Sequence, residues 1–307
     1  MSSNKNIYIG AMSGTSHDAI DVSILKIEKD VTLEFFHSKR IPNSLRNRIK
    51  NIIEWDSVTL VEFGQLNKKI GYLFAQAINE SIEQAKLKKN KIKCVAISGQ
   101  TIRHDVASAY PFSMQIGDPN VVSNETGLTT ISDFRNMHIA LGGEGAPLVP
   151  EFHNELFHSY RKSKIILNIG GIANYSYIKN KNHFWGSDVG PGNALMDEYC
   201  QKYLDRPFDK DGKIASKGKV NSRELRRLLL HKFFKQKFPK STGKELFNLN
   251  MLSKLFLKDS PENVLATLVE FTAISIDKSI KANNHSFDEF IVCGGGGKNK
   301  FLIKRLA

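Results

Sequence analysis

Cysteine is scarce in this chain and long apolar runs are missing. The three cysteines, Cys94, Cys200 and Cys293, are far apart, and no C-x-x-C or His-x-x-x-His pair occurs. That spacing excludes a disulfide framework and a structural zinc site, and with no export signal it points to reduced thiols in a cytoplasmic protein. The longest apolar stretches, such as residues 165–173, are broken by Asn168 and glycines. None approaches the ~20 residues that a membrane span needs. The opening MSSNKNIYIGAM has too short an apolar stretch for a signal peptide, so no membrane association is expected. No G-x-x-x-x-G-K-[ST] string is present, which excludes a Walker A loop. Short-period repeats and linkers rich in Pro, Gly or Ser are absent too.

What remains is an ordinary globular composition. Of the 307 residues 41% are hydrophobic and 24% charged, enough for two domains or one large one with a sizeable core. The 44 Lys and Arg against 31 Asp and Glu leave a net charge of +13. These lysines are scattered. The densest run, residues 86–93, falls at the end of a predicted helix and reads as a solvated terminus. It has no interleaved aromatics, so no nucleic-acid partner is expected.

Hydropathy patterning divides the chain into two similar blocks. In the first, residues 7–12 form a short buried strand, followed by the small-residue turn SGTSHDA and alternating strands over 20–27 and 33–39. Apolar residues from Leu60 to Ile82 recur at three- and four-residue spacing and predict one long amphipathic helix. Further strands are expected at 94–98, 112–116 and 128–134. A second block opens in the same style, with strands over 165–169 and 173–178 around Gly170–Gly171. It continues with an approach strand at 185–188, a turn at 189–193 and a helix carrying Leu195, Met196, Tyr199 and Tyr203. A helix over 264–281, a strand over 290–293, a four-glycine run and a closing helix complete it. The pattern predicts an α/β protein of two related sheet domains, 1–133 and 134–307, with a ligand in the cleft between them.

Four strand-end turns mix glycine with hydroxyl or carboxylate groups. The first holds Gly10, Ser13, Gly14, Thr15, Ser16, Asp18 and Asp21. Small residues there let backbone N–H groups approach a phosphate, and Asp18 is a candidate to hold Mg²⁺ through water. A plain hairpin turn with local hydrogen bonds is the competing reading. The second is NIGGIAN, around Gly170 and Gly171. The third, GSDVGPGN, ends a strand on Asp188 and runs through Asn193 into a helix; its acid is either a general base or a helix cap. The fourth, Gly294, Gly295, Gly296 and Gly297, offers a surface for a flat group such as adenosine, or is a flexible turn. Together they describe a two-lobed phosphotransferase of the actin and hexokinase type.

Read whole, the strings IGAMSGTSHDAID, SGQTIRH, QIGDPN, SDFRNMHIALGGEGAPLVPEFH, NIGGIAN, GSDVGPGNALMD, FDKDGKIASKG, FPKSTGKELFN and CGGGGKN resemble the anhydro-N-acetylmuramic acid kinase family, in order over almost the whole chain. The resemblance implies a two-domain actin-like ATPase fold of ribonuclease H-like type. It also implies a reaction in which 1,6-anhydro-N-acetylmuramic acid, from peptidoglycan recycling, is opened with water and phosphorylated on O6 by ATP and Mg²⁺. On it, Asp188 is the catalytic base, Gly14, Thr15, Ser16, His17, Asp18, Ala19, Ile20 and Asp21 belong to the ATP phosphate loop, and Gly170–Gly171 and the late glycines also hold the nucleotide. Gln100, Thr101, Arg103, His104, Asp133, Arg135 and Asn193 line the sugar side, with Arg135 a candidate for the lactyl carboxylate. An ion pair with Asp133 is the alternative for Arg135, and a satisfied buried histidine the alternative for His104. Lys240 and Lys244, in PKSTGK, read as a surface or hinge element. A homodimer is also implied.

Three positions depart from the family pattern: Ala19 for glycine, Ser98 for histidine and Glu144 for glutamine. Family members also continue for tens of residues past the position of Ala307. The second domain is therefore expected to be C-terminally incomplete, with a catalytically impaired member that binds nucleotide weakly or not at all as the alternative function.

Overall fold

The computed structural model describes residues 6–14, 17–55, 57–243, 246–283 and 286–307. They form two compact units, Met1–Gly145 and Ala146–Ala307.

The first unit opens with an antiparallel meander of β1 (Ile7–Ser13), β2 (Ala19–Ile27) and β3 (Val31–Arg40). Strict alternation drives it: Ile7, Ile9 and Ala11 of β1 and Ile20, Val22 and Ile24 of β2 all point into one core. Helix α1 (Asn43–Trp55) follows, then α2 (Leu60–Gln84). The second starts sharply because Thr59 accepts the Glu62 N–H at 3.1 Å, the opening half of a capping box. Its stripe of Leu66, Ile70, Phe74, Ala77 and Ile78 lies fully buried on the sheet. Deleting a ring such as that of Phe74 would cost about 3–5 kcal/mol. The long β4 (Ile92–Asp105) returns parallel to β1, and β5 (Phe112–Ile116) pairs with it antiparallel. Then come α3 (Pro119–Thr126), the two-residue β6 (Thr130–Ile131) and α4 (Phe134–Ala140).

The strand expected at 128–134 shrinks to β6. Gly127, left-handed at φ 68°, caps α3, and Asp133, left-handed at φ 64°, ends the extended run. The units divide between Gly145 and Ala146, so α4 stays in the first unit rather than opening the second. Its Asn136 side chain accepts the Ser113 N–H of β5 at 2.9 Å, and Arg135 and His138 bond the Gly145 backbone at 2.8 and 3.1 Å.

The second unit begins with α5 (Val149–Phe157) and repeats the meander in β7 (Lys164–Ile169), β8 (Ile172–Asn180) and β9 (His183–Pro191). Helices α6 (Ala194–Tyr203), α7 (Ser222–Leu229) and α8 (Pro261–Ala282) precede β10 (Glu289–Cys293), which lies parallel to β7, and α9 (Lys300–Leu306) closes the unit. Counted within each unit, both sheets carry the order 3-2-1-4: β3-β2-β1-β4 in the first and β9-β8-β7-β10 in the second. Each has its own hydrophobic core. No helix among the described residues is long and apolar enough to cross a membrane.

Candidate active site

In the second unit the chemistry gathers where β9 leaves the sheet. Asp188 is 6% exposed. A bulge sits just past it: Asn174 opposes Asp188 and Ala173 opposes Gly190, so Val189 is the extra residue. Its Oδ2 accepts the Thr242 N–H at 2.9 Å and the Ser241 hydroxyl at 3.3 Å, while its own N–H donates to the Lys240 carbonyl at 2.9 Å. A buried carboxylate with fixed donors is held in one orientation.

The glycine turns are packed against this strand end. N–H groups of Gly192 and Ala194 donate to the Gly171 carbonyl and that of Asn193 to the Gly170 carbonyl, at 2.8–3.0 Å. A Cβ on Gly192 would overlap the Gly170 carbonyl oxygen, which is why the turn needs glycine there. Helix α8 ties the same segment from below: Thr272 donates its hydroxyl to the Gly192 carbonyl at 3.1 Å and Ser279 to that of Val189 at 3.4 Å. Asn193 donates to the Ile169 carbonyl at 3.4 Å, and its side chain is also the nearest neighbour of the space over Gly295. The structure thus brings Asn193, expected on the sugar side, to the glycine run.

Within that run the four glycines differ. Gly294 sits at φ 82° with the Asn168 Oδ1 only 2.5 Å from where a Cβ would stand, and a Cβ on Gly296 would overlap Ile169. Gly295 and Gly297 have nothing closer than 3.9 and 3.6 Å. The first pair are required by packing and the second pair leave open surface, a cradle that fits a flat adenosine.

Residues of the first turn have mixed fates. Thr15 and Ser16 lie outside the described residues. His17 is left-handed at φ 54° and donates its N–H to the Gly14 carbonyl at 3.1 Å. Asp18 has an exposed side chain, and its carbonyl accepts the Ile41 N–H at 2.8 Å. Ala19 pairs with Arg40 at the start of β2. Ile20, expected among the nucleotide contacts, is a fully buried core residue whose backbone belongs to the ladder with Ser13. Asp21 accepts the Ser38 hydroxyl at 2.6 Å. Nothing lies within 4 Å of a Cβ placed on Gly10, so phosphates have room to approach β1 there. Among the described residues no three His, Cys, Asp or Glu side chains form a metal cluster.

On β4 the string SGQTIRH separates by strand alternation. Gln100 is fully buried and spent on the fold: it accepts the Ser13 hydroxyl at 2.6 Å and donates to the Thr101 carbonyl at 3.0 Å, tying β1 to β4. Thr101 accepts from Gln115 at 3.3 Å, and Arg103 is half-buried opposite Met114. His104 Nδ1 meets the Ser113 hydroxyl at 3.0 Å, and that oxygen already accepts from Gln115 at 2.7 Å. Buried, Nε2 has no partner among the described residues. Burial, then the nearby Arg135 charge, hold the His104 pKa below its ordinary value. Arg135 donates to the Gly145 carbonyl at 2.8 Å, and the Asp133 carboxylate accepts from Asn136 at 2.8 Å. Of the departures, Ser98 donates only to its neighbour's carbonyl at 3.4 Å, and burial raises the Glu144 pKa.

Sequence reading missed the 240–242 segment. Lys240, expected at the surface, is 5% exposed and lies over the Phe233 and Phe238 rings, at 4.3 and 4.4 Å from their centroids. The signal was present in FFKQKFPK, a lysine among aromatics. Lys244 lies outside the described residues.

A meander, crossover and parallel strand in the order 3-2-1-4, built twice with glycine turns at the strand ends, defines an actin-like ATPase. The sequence pattern of anhydro-N-acetylmuramic acid kinase matches residues 6–307, and this chain belongs to that family. It is 60% identical over 304 residues to the anhydro-N-acetylmuramic acid kinase of Gamma-proteobacterium EBAC31A08, covering 99% of this chain and 84% of that one. To the Vibrio cholerae enzyme of the same name it is 40% identical, covering 98% and 83%. A solved likeness is the activator of 2-hydroxyisocaproyl-CoA dehydratase from Clostridium difficile with bound ADPNP, at 13% identity, 98% and 84% coverage and a TM-score of 0.48.

Proposed function

We propose that this kinase opens 1,6-anhydro-N-acetylmuramic acid with water and transfers phosphate from ATP to O6, with Asp188 as general base. One observation carries the assignment: Asp188 is a buried carboxylate at a strand end, with Oδ2 fixed by the Thr242 N–H and the Ser241 hydroxyl beside a glycine turn.

Asp188 takes a proton from water as the water oxygen attacks the anomeric carbon. The bond from that carbon to O6 breaks and its electron pair goes to O6; O6 then attacks the γ-phosphorus in line as the bond from that phosphorus to the bridging oxygen breaks and ADP leaves with the electron pair, and Asp188 returns its proton to solvent. The protein's part in that second step is mainly positioning and charge stabilisation. Gly10 leaves backbone room for the phosphates, and Gly295 and Gly297 for the adenosine. Mg²⁺, held beside Asp18, would supply neutralisation of the phosphate charge. His104 Nε2 and the Arg135 guanidinium are the polar groups for the sugar and its carboxylate.

The test is Asp188→Asn, which keeps the shape and removes the base. Turnover should fall ~10²–10⁴-fold while ATP affinity by calorimetry stays near wild type. A loss below about tenfold sinks the assignment.

A further inference from the structure

Three consecutive residues, Lys240 to Thr242, grip two consecutive residues of β9. The Lys240 N–H donates to Ser187 Oγ at 2.9 Å, and its carbonyl accepts the Asp188 N–H at 2.9 Å. Ser187 Oγ also lies 3.1 Å from that carbonyl. Ser241 and Thr242 then bond the Asp188 carboxylate itself. All of this comes from a stretch with no regular secondary structure, so something must hold it in register.

The Lys240 side chain does so. Its ammonium donates to the Phe233 carbonyl at 3.1 Å and lies over the Phe233 and Phe238 rings, with Phe234 at 5.9 Å. We infer that Lys240 is a positioning residue for Asp188: it pins the 240–242 segment to the Phe233–Phe238 aromatic box and so aims the carboxylate. This rests on the reading of Asp188 as the base.

Stability alone does not account for a lysine here. Burial pulls its pKa down to about 8, the mark of a charge that is costly to desolvate. An apolar side chain would fill an aromatic box at lower cost. A lysine adds a tether of fixed length to one carbonyl, and buried charges retained against their cost can serve to specify one arrangement.

The experiment uses Lys240→Met and Ser241→Ala, singly and together, in the full chain. Methionine fits an aromatic surround without the tether. Lys240→Met should lower kcat about tenfold, since small misplacements of a catalytic group are expensive. KM for both substrates should stay within about twofold, and melting at neutral pH should not fall. Ser241→Ala should cost a few-fold alone and nothing further in the Lys240→Met background, because the donor is already displaced. Wild-type kcat in Lys240→Met, a kcat loss tracking a lower melting temperature, or multiplying losses in the double variant each overturn the inference. If Lys240→Met does not fold, Lys240→Gln carries the same expectations. Full activity in Asp188→Asn would instead overturn the base itself, whatever Lys240 does.

Discussion

A buried ammonium among phenyl rings makes stability and pH opposed at a single residue. Native Lys240 gives up its proton near pH 8 and the unfolded side chain near 10.5. Between those values the unfolded chain holds more protons, so the native state gains stability as pH rises through that window. Below it the full cost of the buried charge is present. Lys240→Met removes the dependence. The variant should melt above wild type at neutral pH, with the gap closing as pH climbs from 8 toward 10.5. Melting curves across that range check this, and a gap that widens with pH would contradict it.

Strand ends and glycine turns carry the function at the next scale up. The bulge at Val189 leaves irregular backbone, and α8 meets it with hydroxyls in place of apolar side chains: Thr272 and Ser279 donate to the Gly192 and Val189 carbonyls. A buried carbonyl without such a partner would be costly. The late glycine run separates folding from binding within two residues. Gly296→Ala should destabilise by about 1–3 kcal/mol, because the new methyl overlaps Ile169 in a packed core. Gly295→Val should leave the melting temperature near wild type and weaken ATP binding, because only open space lies over Gly295. Thermal melts paired with calorimetry decide it. Equal loss of stability in both variants would mean that the run is packing throughout.

Each unit has its own core and the same strand order, so one design is used twice. On the proposed reading the two copies divide the work: the first carries the phosphate turn and the His104 and Arg135 side chains, the second the base and the adenosine glycines. A ligand that binds only the folded chain stabilises it by mass action. A non-hydrolysable ATP analogue with Mg²⁺ at ~100 times its Kd should add about 2.7 kcal/mol. Chelating the metal should reduce that gain at fixed nucleotide, because bare phosphates lose their counter-charge. Fluorescence-monitored melting measures both, and no shift with nucleotide would argue against the adenosine assignment.

Local pattern by itself determined much of this protein. Period-two alternation in β1 and β2 and the period-3.6 stripe of α2 declare which faces are buried, because side-chain geometry repeats with the backbone. The ordered glycine and acid strings declare the family, and β5 falls on the expected residues 112–116. Alternation alone also places Ile20 in the core, although the phosphate string runs through it. Contacts between residues distant in sequence were decided only by folding. Gln100 meets Ser13 through strand pairing, Asn193 meets the glycine run across the β7–β8 turn, and Lys240 reaches Asp188 from 52 positions downstream along an irregular segment. No periodicity encodes such meetings, since they depend on how the sheet and the loops around it pack together. That packing turns a lysine that reads as a surface or hinge element into a buried neighbour of Asp188.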